Sequence, residues 1–261
     1  MPPCDMEKSS TRKSDTVARL FGVELPAALR GRIEGYGVQR HPYDESGASI
    51  FVLKKDGETL FLKARLGGDR LEMEHGVLAW IGGRLPVPEP VYYGREGSAE
   101  FLLTTRIPGT PVYLMPPERR EGAVRVLSEA LKRIHFLDPS GCPYTYTVES
   151  KVETVERGHG NDHRGWLRRG MPAEEQVFTH GDYCLPNVLV DEGGLGGVID
   201  WDYGGLADPY VDFASCIGSL KYNFGAEEVE QLWAPLFFDE YGVDVDMRRL
   251  DHYQRLNRLL D

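Results

Sequence analysis

The chain has 261 residues, of which 41% are hydrophobic and 27% are charged, a composition that is ordinary for a soluble globular protein built as one large domain or two small lobes. The formal net charge of −11 argues against a nucleic-acid partner, because phosphate backbones are bound by clustered Lys and Arg. That acidity suits a cationic small molecule, although it would also serve solubility alone.

No targeting or membrane segment is recognisable in the sequence. No apolar run approaches the roughly 20 residues that cross a bilayer, and the polar start over residues 1–15 lacks an apolar signal core. The four cysteines are scattered without a C-x-x-C pair, so neither a disulfide framework nor a zinc site is indicated. We therefore expect a cytoplasmic protein with reduced thiols, no membrane partner and a loose N-terminal arm over residues 1–20.

The first strongly patterned stretch is a β-hairpin. Residues 49–53 and 59–63 are rich in apolar and β-branched side chains, and the Asp-Gly pair between them is a turn signal. Residues 44–49 are small and polar enough for backbone N–H groups to approach a phosphate, which makes Ser49 a candidate nucleotide contact.

A helix and an extended connector follow the hairpin. The helix is predicted over residues 71–81 and carries Glu72 and Glu74. The prolines of residues 85–90 exclude a helix there, because they lack the N–H and bias the preceding residues away from helical backbone.

Two more strands are indicated over residues 91–94 and 100–105. We place the boundary between two lobes just after them. If the chain binds a nucleotide, as the motif over residues 177–202 described below indicates, the base would lie between the lobes and meet the backbone from Thr105 to Ile107.

The longest helical pattern spans residues 118–137, with apolar residues at spacings of three and four. His135 near its end is interpreted as a structural residue or a C-terminal helix cation rather than a catalyst. Residues 148–170 are polar and charged, and they suit either a loop or one wall of an acceptor pocket.

The stretch over residues 177–202, VFTHGDYCLPNVLVDEGGLGGVIDWD, carries the chemistry. Asn187 stands five residues beyond Asp182, and a β-branched run, a glycine turn and a second apolar run then lead to Asp200. Cations that bridge nucleotide phosphates take oxygen ligands, and an acceptor hydroxyl must be held in line with the γ-phosphate. Asn187 and Asp200 suit the metal role, and Asp182 suits the positioning role. Each residue alone would more often make local loop hydrogen bonds, but the combination favours the functional interpretation.

The residues after this stretch are predicted to support it. Asp208 before Pro209 has the pattern of a helix N-cap, and Asp212 is expected to hold the catalytic loop by hydrogen bonds. Residues 226–241 and 246–260 have the pattern of two amphipathic helices that complete an α-rich second lobe.

These pieces together resemble the aminoglycoside 3'-phosphotransferase family, within the wider class of kinase-fold small-molecule phosphotransferases. The matching elements run nearly end to end: Phe61-Leu62-Lys63, Glu74 and Trp80, Leu85-Pro86-Val87-Pro88, Asp138 with Cys142-Pro143-Tyr144, His180 to Asn187, Ile199-Asp200, Gly205 with Ala207-Asp208, and the C-terminal helix. The spacing from His180 to Asn187 is also that of the protein-kinase catalytic loop, with Gly in place of Arg.

The resemblance implies an α+β, protein-kinase-like two-lobe fold, with a β-rich N-lobe over residues 21–104 and an α-rich C-lobe over residues 105–261. It implies transfer of the γ-phosphate of ATP to a hydroxyl of an aminoglycoside antibiotic, the 3'-hydroxyl by resemblance. GTP could replace ATP. The chain is expected to be a monomer or a weak dimer.

Roles for individual residues follow from the same resemblance. Asp182 would be the catalytic aspartate, and Asn187 and Asp200 would bind Mg²⁺. Lys63 paired with a helix glutamate would order the nucleotide phosphates. The family comparison prefers Glu74 to Glu72, although either residue could instead lie on a solvated helix face.

The departures from the family fall where the acceptor should bind. The family usually has a basic residue at the position of Tyr203 and an acidic pair where Asn257 and Arg258 stand here. Candidate contacts to a cationic acceptor are Tyr203 and four acidic residues: Glu153, Glu156, Asp162 and Asp261.

The alternative function is a kinase of another small alcohol or metabolite, because the stretch around Trp201 resembles choline-kinase-like enzymes. A catalytically silent binding module is disfavoured by the intact set of Lys63, Asp182, Asn187 and Asp200.

Overall fold

The computed structural model describes residues 19–20, 23–41, 47–146, 174–192 and 194–260. The chain divides into two compact units. The first comprises the described residues up to 72 together with 90–106, and the second comprises residues 73–89 together with those from 107 onward. The division assigns residues 73–89 to the second unit, whereas the sequence-based boundaries put them in the N-lobe.

The first unit is an antiparallel sheet with a short helix. Its elements are β1 (Arg19–Leu20), β2 (Val23–Glu24), α1 (Ala27–Arg32), β3 (Gly37–Arg40), β4 (Ala48–Lys55), β5 (Glu58–Leu66), β6 (Pro90–Glu96) and β7 (Ala99–Thr105). The five main strands are ordered β3-β4-β5-β7-β6. The predicted hairpin of β4 and β5 and the predicted strands β6 and β7 are confirmed.

One face of this sheet forms the hydrophobic core of the first unit. Phe51, Leu62 and Phe101 from three adjacent strands pack with Leu29 of α1, and all four are buried. Every second side chain of a strand points to the same side of the sheet, so the apolar residues at alternate positions form this face.

The opposite face carries charged residues. The strand register pairs Lys63 with Leu102 and Arg65 with Glu100. Directly paired residues share a face, and so do residues two apart on one strand, so these four side chains lie on the same side of the sheet.

The helix α2 (Arg70–Ile81) contains the division between the units, because its first turn belongs to the first unit and its remainder to the second. The other elements of the second unit are β8 (Thr110–Pro111), α3 (Arg120–His135), β9 (Val177–Thr179), β10 (Val188–Asp191), β11 (Gly194–Val198), β12 (Gly205–Ala207), α4 (Tyr210–Phe224), α5 (Ala226–Glu228), α6 (Ala234–Tyr241) and α7 (Met247–Leu260). A π-helical turn, Val229–Trp233, joins α5 to α6.

The second unit is built around α3. Its buried face includes Val124, Leu127, Leu131 and Ile134, which confirms the predicted apolar periodicity. Helix α6 packs against α3, and α7 packs against α4. The strands form a three-stranded sheet ordered β11-β10-β8 and a pair of β12 with β9.

Helix α4 begins at Tyr210 rather than at Pro209. Asp208 nevertheless accepts the backbone N–H of Tyr210 with Oδ1 at 3.0 Å, and Arg249 of α7 donates to Asp208 Oδ2 at 2.6 Å. The predicted helices over 226–241 and 246–260 are confirmed. Across the described part of the chain, no helix combines the length and the apolarity that a membrane span requires.

Candidate active site

The loop that follows β9 is hydrogen-bonded to one buried carboxylate, that of Asp212. Asp212 on α4 accepts the backbone N–H of His180 with Oδ2 at 2.8 Å and that of Gly181 with Oδ1 at 2.7 Å. His135 Nε2 lies 3.1 Å from Asp212 Oδ2, and its Nδ1 lies 2.9 Å from the hydroxyl of Tyr241. The predicted support by Asp212 and the structural interpretation of His135 are confirmed.

Asp212 has a lowered pKa in this interior position. Burial by itself favours the neutral acid, yet the hydrogen bond and the electrostatic field of His135, with a further contribution from His180, lower the pKa of Asp212. An ionised acceptor makes stronger hydrogen bonds to the two loop N–H groups than a neutral one would. The interior of the second unit therefore fixes the conformation of the loop.

His180 joins the two segments that carry the predicted site residues. Its Nε2 donates to the carbonyl oxygen of Ile199 at 2.9 Å, and its Nδ1 accepts the backbone N–H of Asp182 at 3.3 Å. The ring is buried against Trp201, with ring centroids 4.5 Å apart. Since Ile199 immediately precedes Asp200, the imidazole ties the loop to the end of β11. This role of His180 was not predicted from the sequence, where its place in the motif is the only signal for it.

Asp182 and Asn187 are brought together within one turn of chain. Asn187 Nδ2 donates to the carbonyl oxygen of Asp182 at 3.0 Å and lies 3.4 Å from Asp182 Oδ2. The backbone N–H of Asn187 also closes the turn on the carbonyl oxygen of Cys184 at 3.0 Å. With its nitrogen directed to Asp182, the amide oxygen is the atom of Asn187 that can act as a metal ligand.

Asp200 follows β11 with a φ of 69°, in the left-handed region that few residues other than glycine adopt. Backbone strain of this kind is concentrated at functional sites. Burial and then the charges of Asp182 and Asp200 raise the pKa of the Cys184 thiol, whose Sγ lies 3.9 Å from Asp182 Oδ2. Cys184 therefore lies beside the carboxylate of Asp182.

This donor set suits a hard divalent cation that also binds phosphates. Asn187 and Asp200 offer oxygen atoms, which such cations prefer. Among the described residues there is no group of three or more His, Cys, Asp or Glu side chains that could enclose a metal ion by themselves. Mg²⁺ commonly takes one or two protein carboxylates and completes its shell with water and substrate phosphates. The residues present fit Mg²⁺ that is bound together with a nucleotide.

Three residues predicted to contact the nucleotide lie in the first unit. Lys63 is on β5, Thr105 ends β7, and Ser49 is near the start of β4. Ser49 Oγ accepts a hydrogen bond from Arg40 Nη2 at 3.4 Å, and its register partner is Ala64 of the buried core face. A phosphate contact at Ser49 would therefore come from its backbone.

Ile107 lies in the second unit, in the segment just after β7. It packs directly against β11, because a Cβ added at Gly197 would overlap the Ile107 side chain. The same hypothetical Cβ would lie 2.8 Å from the carbonyl oxygen of Pro86. Because residue 197 is a glycine, the segment that contains Ile107 can approach β11 closely.

The two glutamates of α2 have different surroundings. Glu74 is 3% exposed, whereas the side chain of Glu72 is 56% exposed and pairs with Arg95 at 3.1 Å. A buried carboxylate requires compensating partners. Glu74 therefore suits a role in an ordered ionic group better than Glu72 does.

Most of the predicted acceptor contacts lie outside the described residues, namely Glu153, Glu156, Asp162 and Asp261. Tyr203 is described, and it is 39% exposed three residues after Asp200. Asn257 Nδ2 donates to Ser215 Oγ at 3.1 Å, which connects α7 to α4. Arg258 is exposed on α7.

Comparison with known proteins gives a consistent result. Residues 37–157 and 153–253 match the model of the phosphotransferase enzyme family. An aminoglycoside 3'-phosphotransferase of Niallia circulans is 30% identical over 81% of this chain and 88% of that protein. The crystal structure of an aminoglycoside-3'-phosphotransferase of type VIII is 27% identical and has a TM-score of 0.76, covering 89% of this chain and 96% of that one.

A further structure shares the fold at lower identity. The aminoglycoside phosphotransferase APH(3'')-Id from Streptomyces rimosus, in complex with ADP and streptomycin, is 24% identical and has a TM-score of 0.75, covering 88% of this chain and 95% of that one. The predicted kinase-like α+β fold is confirmed by these similarities.

Proposed function

The chain belongs to the phosphotransferase enzyme family, and from this membership we propose that it transfers the γ-phosphate of ATP to the 3'-hydroxyl of an aminoglycoside. The observation that carries the proposal is the juxtaposition of Asp182, Asn187 and Asp200 through the ring of His180. The curated relative with 30% identity is an aminoglycoside 3'-phosphotransferase, which supports the choice of acceptor.

In this proposal Asp182 positions the acceptor hydroxyl. The hydroxyl oxygen forms a bond to the γ-phosphorus while the bond from that phosphorus to the β,γ-bridging oxygen breaks, and ADP leaves. The hydroxyl proton passes to a carboxylate oxygen of Asp182. The amide of Asn187, 3.4 Å from Asp182 Oδ2, restrains the orientation of that carboxylate.

Asn187 and Asp200 would hold Mg²⁺ when the nucleotide is bound. The cation would neutralise charge on the phosphate oxygens. Lys63, supported by Glu74, would hold the nucleotide phosphates, and the backbone from Thr105 to Ile107 would meet the base. The complex of the Streptomyces rimosus enzyme with ADP supports ATP as the donor, and GTP remains an alternative donor.

The acceptor is expected to be cationic, since the chain carries a formal net charge of −11. A specific observation favours the second candidate, a kinase of another small alcohol. By the sequence resemblance, Asn257 and Arg258 stand where the family usually has an acidic pair, and in the structure Asn257 Nδ2 donates a hydrogen bond to Ser215 Oγ. A pocket without that acidic pair holds ammonium groups less strongly.

An ADP-release assay with Mg²⁺ and ATP tests the proposal. The acceptor panel contains an aminoglycoside, its 3'-deoxy derivative, choline and small sugar alcohols. We expect turnover of the aminoglycoside, none of the 3'-deoxy derivative, and loss of activity in excess chelator. Asp182→Asn should lower turnover by about 10²-fold or more while nucleotide affinity stays within about threefold.

Asp191→Asn is the matched control, because it makes the same chemical change at an exposed residue that ends β10. It should keep the wild-type rate. Near-wild-type turnover by Asp182→Asn would remove Asp182 from the mechanism. Far more efficient turnover of choline or a sugar alcohol than of every aminoglycoside would establish the second candidate instead.

A further inference from the structure

A buried glutamate on the sheet of the first unit contacts the beginning of α2. Glu100 on β7 is 1% exposed. Its Oε2 accepts the backbone N–H of Leu71 at 3.4 Å, and its Oε1 accepts that of Glu72 at 3.3 Å. These are the second and third residues of α2, whose N–H groups have no partner within the helix. Glu100 therefore acts as an N-terminal cap that is supplied by a distant strand.

The charge of Glu100 is compensated locally. Arg95 Nη2 donates to Glu100 Oε1 at 3.1 Å, and the hydroxyl of Tyr93 donates to the same oxygen at 2.9 Å. Burial raises the pKa of Tyr93 to about 12, so its hydroxyl stays a donor. A buried carboxylate at a helix N-terminus also interacts favourably with the helix dipole. The first turn of α2 is thus attached to the sheet by a carboxylate that also accepts hydrogen bonds from Arg95 and Tyr93.

The same sheet carries the residue that the proposed function assigns to the nucleotide phosphates. Glu100 and Lys63 lie on one face of the sheet, on the neighbouring strands β7 and β5. Glu74 lies on α2, two residues beyond Glu72, whose N–H Glu100 accepts. One carboxylate therefore links the strand next to that of Lys63 to the first turn of the helix that carries Glu74.

From this arrangement we propose that Glu100 is a positioning residue for nucleotide binding, which it serves by fixing the first turn of α2 and through it the carboxylate of Glu74. The inference rests on the proposed function. Glu100 touches no substrate in this scheme. Its effect passes through Glu74 to the phosphates of the nucleotide.

The test compares Glu100→Gln with Glu100→Asp in the full-length protein. The amide of Gln presents an N–H group to one of the helix N–H groups, and the side chain of Asp is shorter by one methylene, so both changes weaken the cap. We expect the KM for ATP to rise by about tenfold in either variant, while the KM for the acceptor changes by less than about twofold. Glu96→Gln, which removes an exposed carboxylate of β6, is the control and should leave both constants unchanged.

A double-mutant cycle with Glu74→Gln separates positioning from general destabilisation. If Glu100 acts through Glu74, the Glu100→Gln change should not raise the KM for ATP further in the Glu74→Gln background, while its effect on thermal stability should persist there. Additive effects on the KM for ATP, or an unchanged KM for ATP in the Glu100 variants, would overturn the inference.

Direct titration of ATP binding keeps the two proposals distinguishable. If the wild-type protein phosphorylates none of the acceptors, the proposed acceptor class fails, but the affinity for ATP can still be compared between the wild-type protein and the Glu100 variants. Tenfold weaker ATP binding in those variants supports the positioning role of Glu100. Equal affinity contradicts it.

Discussion

Gly181 explains why the loop motif has glycine between its histidine and its aspartate. Its φ is 86°, and a Cβ at this position would overlap the backbone carbonyl oxygen of Tyr203. The loop can therefore approach the chain after Asp200 only when residue 181 has no side chain. This close approach and the hydrogen bonds of His180 bring the loop that contains Asp182 next to the segment that contains Asp200.

We predict that Gly181→Ala destabilises the protein by more than 2 kcal/mol and lowers turnover by about 10²-fold, because it adds a backbone clash to the strain of positive φ. Gly57→Ala is the matched control. Gly57 has a φ of 88°, but no atom lies within 4 Å of its hypothetical Cβ, so we expect a loss of about 1 kcal/mol from strain alone and full activity. Chemical denaturation and the ADP-release assay measure both quantities. Equal effects of the two substitutions would contradict this account.

Helix α2 has a glycine, Gly76, at the position where Tyr144 packs against it. A Cβ at Gly76 would lie 2.7 Å from the hydroxyl oxygen of Tyr144 and 3.2 Å from its Cε2 atom. The hydroxyl of Tyr146 lies 3.8 Å from the sulfur of Met73 on the same helix. Two tyrosines after α3 thus hold the part of α2 that belongs to the second unit.

We predict that Gly76→Ala destabilises the protein by about 1–3 kcal/mol despite the higher helix propensity of alanine. Tyr144→Phe should recover part of that loss in the double variant, because it removes the atom nearest to the new methyl group. Gly122→Ala in α3 is the control, since its Cβ would meet nothing within 4 Å, and we expect it to stabilise by up to about 1 kcal/mol. Thermal denaturation of the two single variants, their double variant and the Gly122→Ala control measures these changes in stability. Strictly additive effects of the changes at 76 and 144 would refute the steric explanation.

The sequence was sufficient for elements whose side chains repeat with a regular period. The apolar spacing of α3 and the two runs flanking Asp56-Gly57 predicted a helix and a hairpin that the structure contains. The spacing from Asp182 to Asn187 predicted two residues that lie within hydrogen-bond distance. These features are local, so a pattern of a few residues determines them.

Long-range contacts were not accessible in this way. The cap of α2 by Glu100 joins residues nearly 30 positions apart, and no periodicity marks it. The hydrogen bond of His180 to Ile199 depends on the path of the chain through β10 and β11. The division of the chain inside α2 likewise depends on which residues pack together in space.

The net charge of −11 and the positive charge of Arg258 are expected to act in opposite directions on the cationic acceptor proposed above. We predict that Arg258→Glu lowers the KM for an aminoglycoside by about threefold to tenfold at low ionic strength, and that the gain shrinks as salt rises. Arg30→Glu on α1 changes the formal charge by the same amount at an exposed residue of the first unit, so it controls for the effect of net charge. Acceptor KM values at several salt concentrations measure the difference. Equal responses of the two variants would rule out a local role for Arg258.

The buried support of the catalytic loop has a consequence for how such a protein changes over generations. Asp212 and His135 belong to the interior that keeps the second unit folded, and they also fix the loop that carries Asp182. Selection for folding therefore preserves the reaction, whichever alcohol is being phosphorylated. The exposed Arg258 on α7 bears no such double constraint. A lineage that meets a new alcohol can thus alter its preference by a few surface substitutions and keep its chemistry intact throughout.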